Sequence, residues 1–190
     1  LASGEVTQIF EAAYQPGIGA ALHYASDGTL ISYVNRTISR RAPDGSVITA
    51  ELTQQVSVTF GVEYAPAFSP DGTKLATNYC TQRGSDNTCS NSEVHVWDTA
   101  TGELLYTLSG GLEDGTNVGL AFSADGRIVA ASQCDPQTAG RGNSVYYVCA
   151  GSTFVLWDIS GAPSTTPIEP FATIANADQN QIIYSLMFSP

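Results

Sequence analysis

A short turn motif returns along this chain, and it limits the fold more than any other feature. Phe68-Ser69-Pro70-Asp71-Gly72 is answered 54 residues later by Phe122-Ser123-Ala124-Asp125-Gly126. Trp97-Asp98 is answered 60 residues later by Trp157-Asp158. Phe188-Ser189-Pro190 starts the motif again, and Tyr24-Ala25-Ser26-Asp27-Gly28 is a weaker copy upstream. Internal repetition marks an array of like supersecondary units. Within one unit, Ala67 to Leu108, the residues read as four short strands. The first ends at Phe68, and Pro-Asp-Gly turns into a second at Lys74-Leu75-Ala76-Thr77. A third ends at Trp97-Asp98, and Thr101-Gly102 turns into a fourth ending at Leu108. These stretches are rich in Val, Leu, Tyr and Thr and are bounded by turn residues. Pro presets φ in such turns, and Gly accepts positive φ.

The two Phe-Ser-x-Asp-Gly…Trp-Asp copies resemble the WD40 family of β-propellers, in which each four-stranded sheet is one blade. The resemblance covers nearly the whole chain. It implies an all-β fold, a β-propeller of four-stranded antiparallel blades, with about three complete blades plus partial blades at each end. Residues 1–190 then form a single (partial) propeller domain, with blades at 19–52, 63–108 and 118–174. Residues 4–10, with a strand at Val6–Phe10, supply the outer strand of a preceding blade. Residues 182–190, with a strand at Ile182–Phe188, supply the inner strand of a following one. In the first blade the expected strands are Ala20–Tyr24, Leu30–Val34, Thr37–Arg41 and Val47–Leu52. Asn35-Arg36 forms a hairpin turn there, and Arg40-Arg41 stands in the Trp-Asp place. Propellers close with about four to eight blades. The chain, which starts without Met, is therefore expected to be a piece of a longer propeller, or part of an array that other subunits complete. Trp97 and Trp157 are expected to pack blade against blade. Asp98 and Asp158 are expected to cap the turn that follows.

The second and third blades carry insertions at Thr81–Ser92 and Asp135–Gly151, where Gly, Ser, Asn, Gln and Thr predict exposed loop. Val145-Tyr146-Tyr147-Val148 predicts a short ribbon inside the second insertion. Residues 160–170 read as a Pro-rich connection before an outer strand at Phe171–Ile174. Each insertion is framed by cysteines, Cys80 and Cys89 in one and Cys134 and Cys149 in the other. Four cysteines allow three pairings. Repeat logic favours Cys80–Cys89 and Cys134–Cys149, with four free thiols as the rival. Such bonds persist in oxidising compartments, so the expected location is secreted, periplasmic or cell-surface. Asn35-Arg36-Thr37 is a glycosylation sequon, usable only in a eukaryotic secretory context.

Net charge is −11, and Lys74 is the one lysine. Residues 51–190 carry −10 of that charge. Nucleic acid and anionic membrane surfaces both need a basic face, so neither is an expected partner. No apolar run approaches the roughly 18–20 residues that cross a bilayer as a helix. Neither cysteine pair is Cys-x-x-Cys with a histidine close by, so no metal centre is expected. No nucleophile elbow, phosphate loop, His-Glu-x-x-His or EF-hand spacing occurs, and no catalytic residue or cofactor is expected. His23 and His95, the two histidines, read as structural. Asp27, Asp71 and Asp125 read as turn residues that bond their own backbone.

In the WD40 family a His before the first strand and an Asp before the third join a polar network with the Trp. Asn91 and Gly151 stand where that Asp would be, and the crossings at Thr53–Val62 and Ser109–Thr116 hold no His. The resemblance is to a divergent member, in which disulfides would replace the network. It also implies one loop face that gathers both insertions and the blade crossings, with Arg83, Glu113, Asp114, Arg141, Tyr146 and Tyr147. Loops on a rigid scaffold carry function, and Tyr and Arg are enriched in binding hot spots. The expected function is a non-enzymatic protein-interaction or structural scaffold outside the cytoplasm. The alternative is a segment of a propeller enzyme, or of a small-ligand or cation binder, with its site at the central channel.

Overall fold

Two hydroxyl groups build the two full turn motifs. Ser69 Oγ donates to Asp71 Oδ1 (2.6 Å) and accepts the Lys74 N–H (2.9 Å). Ser123 Oγ does the same with Asp125 (2.6 Å) and Ile128 (2.9 Å). Gly72 and Gly126 both sit at φ +68, where a side chain would be strained. The computed structural model describes residues 20–34, 36–53, 66–83, 89–111, 116–141, 144–175 and 186–189. At 83, 89–91, 116, 135–141 and 144–150 it describes the backbone.

Every regular element among these residues is a strand. The first sheet runs β1 (Ala20–Tyr24), β2 (Leu30–Val34), β3 (Thr37–Arg41), β4 (Val47–Glu51), each antiparallel to the next. The second runs β5 (Ala67–Phe68), β6 (Lys74–Arg83), β7 (Cys89–Asp98), β8 (Leu104–Leu108). The third comprises β9 (Thr116–Phe122), β10 (Ile128–Arg141), β11 (Ser144–Asp158) and β13 (Ala172–Ala175). These are three antiparallel four-stranded sheets, or blades, stacked face to face, and among the described residues they form an arc that does not close.

Two apolar layers hold the arc. Ile31, Tyr33 and Ile38 of the first blade pack against Leu75 and Trp97 of the second, with Phe68 at the margin. Ala76, Val94, Val96, Tyr106 and Leu108 on the second blade's opposite face pack against Leu120, Phe122, Val129, Val155 and Trp157 of the third. Each Trp therefore faces the preceding blade. Strand alternation produces this, since Leu75 and Ala76 must point to opposite faces.

The first blade departs from its repeats by one residue. Phe68 pairs with Leu75 and Phe122 with Val129, but Tyr24 pairs with Leu30. Ala25 has no hydroxyl with which to cap the incoming strand, and the turn closes one residue earlier, with Ala25 N–H donating to Thr29 O at 2.9 Å. A one-residue slip moves every later side chain to the other face. Leu30 pairs with Arg41, as Leu75 pairs with Trp97. The Trp place is therefore Arg41 and the Asp place Ala42, which corrects the expected Arg40-Arg41.

Three further expectations change. The described parts of the insertions are paired strand rather than loop: β6 and β7 stay paired to Arg83 and Cys89, and β10 and β11 to Arg141 and Ser144, the latter strand including the expected ribbon residues Val145–Val148. The Pro-rich connection contains a strand, β12 (Ser164–Ile168), which adds in parallel to the outer edge of β8. Residues 186–189 form no strand. The rest of that expected inner strand, the expected strand at Val6–Phe10, and Asn35 of the sequon lie outside the described residues.

Candidate functional site

The site is built from two hairpins that overrun their sheets. Among the described residues β9 accompanies β10 as far as Thr116 opposite Cys134, and β13 accompanies β11 from Thr153 to Leu156. Beyond them, Pro136–Arg141 pairs with Ser144–Cys149 as a two-stranded ribbon. The shorter β6–β7 hairpin leaves the neighbouring blade between its corresponding strands. Arg83 and Arg141 close the ends of β6 and β10. Tyr146 stands opposite Ala139 and Tyr147 opposite Thr138, partway along the ribbon. Four of the six expected partner-binding residues thus lie on the hairpin extensions, and Glu113 and Asp114 lie outside the described residues.

At the foot of each hairpin is a cysteine. Cys80 faces Ser92 across the ladder and Cys134 faces Ser152, and all four residues are buried. Neither cysteine is a free thiol. Cys89 stands opposite Arg83 and Cys149 opposite Pro136, three residues before Ser92 and Ser152. The register shifts between the cysteine positions in both hairpins. Among the described residues no three His, Cys, Asp or Glu side chains converge as a metal-binding set.

Between the hairpins and the apolar layers lies a belt of buried polar groups. His95 stacks on Tyr79 (4.3 Å between ring centroids) and meets Trp97 edge-on at 5.6 Å. Its Nε2 lies 3.3 Å from Glu93 Oε2. Burial pushes the imidazole pKa down, and Glu93 opposes the shift without reversing it. Gln133 Nε2 donates to Asn117 Oδ1 (2.9 Å) and Gly110 O (3.2 Å). Asn117 N–H donates to Ser92 Oγ across the blade boundary at 2.8 Å.

The two tryptophans use different acceptors. Trp97 Nε1 donates to Thr77 Oγ1 at 2.8 Å, and Trp157 Nε1 to Ser109 O at 2.8 Å. Thr77 stands two residues past Leu75, the partner of Trp97; the matching place past Val129 is Ala131, which has no acceptor. The hydroxyl on the second strand was not singled out in the sequence, although the repeat placed it. Asp98 Oδ1 accepts from Ala100 N (2.8 Å) and Thr101 N (2.9 Å), and Asp158 Oδ1 from Ser160 N (2.8 Å). Asp71 Oδ1 accepts from Thr73 N at 3.0 Å, and Asp125 Oδ1 from Arg127 N at 3.1 Å. Asp27 Oδ1 likewise accepts from Thr29 N at 2.8 Å. The recurring aspartates are occupied by their own turns.

Arg40 ties the first blade to the second. Its Nη1 donates to Thr99 Oγ1 (2.7 Å) and Gly72 O (3.3 Å), and Thr99 Oγ1 donates to the same Gly72 carbonyl at 2.7 Å.

No protein-family model matches the chain, and no curated protein matches it. Solved structures similar to it include the tricorn protease, at 10% identity and a TM-score of 0.47 over 84% of this chain and 17% of that one. The Myceliophteria thermophila Cps50 (Swd1) β-propeller domain is similar at 12% identity and a TM-score of 0.47, over 86% of this chain and 45% of that one. Kluyveromyces lactis Hsv2 follows at 16% identity and 0.42, over 74% of this chain and 37% of that one. The chain thus spans less than half the length of each. The blade architecture rests on the registers and packing above, not on these likenesses.

Proposed function

We propose that the chain is part of a non-enzymatic interaction scaffold that binds a protein partner through its two extended hairpins. The observation that carries this reading is the β10–β11 ribbon, which among the described residues continues past both lateral neighbours. A two-stranded ribbon is marginal alone, and an edge without a neighbouring strand can accept one from a partner. Arg83, Arg141, Tyr146 and Tyr147, on these hairpins, belong to residue types enriched at binding hot spots.

The two cysteine pairs would staple the hairpins at their feet, Cys80 to Cys89 and Cys134 to Cys149. Holding the ribbon in one conformation reduces the ordering penalty of binding. Bonds of this kind persist in oxidising compartments, which supports a location outside the cytoplasm. The test replaces residues 137–148 with a two-residue turn in the full-length protein. Partners recovered from the extracytoplasmic fraction should be lost while the thermal transition is kept. Unchanged recovery would remove the hairpin face from consideration.

A further inference from the structure

We propose that the seam between the second and third blades encloses an internal hydration site, where ordered water bridges the amides of Asn78 and Asn117. Asn117 is fully buried, and a register slip aims it at the second blade. Gly119 pairs with Ser132, but Asn117 rather than Val118 pairs with Gln133. With unbroken alternation Asn117 would share a face with Gly119 and Ala121, away from the second blade. The extra residue puts it on the face of Leu120 instead, as bulges do when they re-aim a side chain.

Gln133 then decides which end of the Asn117 amide remains. It donates to Asn117 Oδ1, so the oxygen is engaged, and Nδ2 is a buried donor without a protein partner. Gly111, at φ +109, lies against the Gln133 amide where a Cβ would overlap it. The crossing loop is therefore fitted closely to this pair.

Asn78 comes from the other side of the seam. It pairs with Val94, on the face of β6 that carries Ala76, and that face packs on Leu120 and Phe122. Both its Nδ2 and its Oδ1 are buried without a partner. One bond fixes the two asparagines relative to each other. Asn117 N–H sits on Ser92 Oγ, and Ser92 is opposite Cys80, two residues along the same strand face from Asn78. Positions two apart on a strand are separated by about 6.6 Å, so Asn78 lies one pleat repeat from the place where β7 meets the Asn117 backbone.

The unpaired set selects the guest. Two amide nitrogens can only donate and one amide oxygen can only accept. A cation would meet the donors, and an anion would meet the oxygen. Water accepts from the first and donates to the second, and internal waters typically make about three such bonds. Buried polar groups without protein partners are where internal water is found.

The test is water-to-amide magnetisation transfer on the labelled full chain. Long-lived water contacts should appear at the Nδ2 protons of both Asn117 and Asn78. In Asn78→Leu, which removes the acceptor and fills the space, the contact at Asn117 should vanish and the thermal midpoint should fall by several degrees. Absence of a long-lived contact at either side chain in the wild type overturns the proposal. So does a contact at Asn117 that persists unchanged in Asn78→Leu. If that variant does not fold, the wild-type measurement alone decides.

Discussion

Trp97 donates its indole N–H to the hydroxyl of Thr77 at 2.8 Å, with both residues buried. Thr77→Val keeps the shape and removes the acceptor. A buried donor left unpaired costs about 1–3 kcal/mol, and chemical unfolding should show a loss in that range. Thr77→Ser should restore most of it. The mirror experiment is Ala131→Thr, where Trp157 already has Ser109 O and the same gain is not expected.

Gly102 joins the first two blades through backbone alone. It sits at φ +74, a Cβ there would overlap the Glu51 carbonyl, and Thr53 N–H donates to Gly102 O at 3.0 Å. Gly45, at φ +87, has nothing within 4 Å of such a Cβ. Gly45→Ala should therefore lose only the left-handed strain, about 1–2 kcal/mol. Gly102→Ala adds a clash with main chain and should lose clearly more in the same unfolding assay.

The Arg40 side chain reaches both turns of the second blade, through Thr99 Oγ1 and Gly72 O. Hydrogen bonds from a charged donor contribute about 1.5–3 kcal/mol when buried, and partial exposure puts this one near the lower end. Arg40→Met should destabilise by that amount. Hydrogen exchange should quicken at Gly72 and Thr99 before it does so in the third blade.

The His95 environment predicts the acid side of the stability curve. Its folded pKa lies below the ordinary histidine value, chiefly through burial. The unfolded chain then binds the proton first. Stability is fully present above about pH 6.5 and falls as the pH drops from there toward the folded pKa. His95→Phe should flatten that limb between pH 7 and 5 in thermal scans. Asp27, Asp125 and Asp158, held low by their turn hydrogen bonds, should contribute a separate loss as the pH falls below the ordinary carboxylate value of 3.8 toward their lowered folded values.

Reduction should lower the thermal midpoint if Cys80–Cys89 and Cys134–Cys149 are the bonded pairs. Loops this short contribute roughly 2.5–3 kcal/mol each in the chain-entropy model. Peptide mapping without reductant should recover both linked pairs, and a cross-blade link between Cys80 and Cys134 would refute the assignment.

Strand positions were legible in the sequence because the turns are chemically self-contained. Ser69 and Asp71 bond within their own motif, and the copy at Ser123 and Asp125 does the same. The β1, β2 and β3 boundaries follow from such local chemistry. Apart from Val145–Val148, the hairpin extensions read as loop because Gly-, Ser- and Thr-rich stretches carry no alternation of their own, and their pairing comes from the partner strand.

Sequence alone determined that the chain repeats a four-stranded unit, that its turns fall at Asp-Gly, and that its tryptophans occupy one recurring place. Those are properties of contacts a few residues long. Only the tertiary structure decided which face each strand presents, because the missing hydroxyl at Ala25 shifts the register by one residue and makes Arg41 the counterpart of Trp97. It alone joined β12 to β8, pairing residues more than fifty positions apart. It alone brought Asn78 and Asn117 to one seam, because that meeting depends on a bulge and on the packing of two sheets rather than on any local preference.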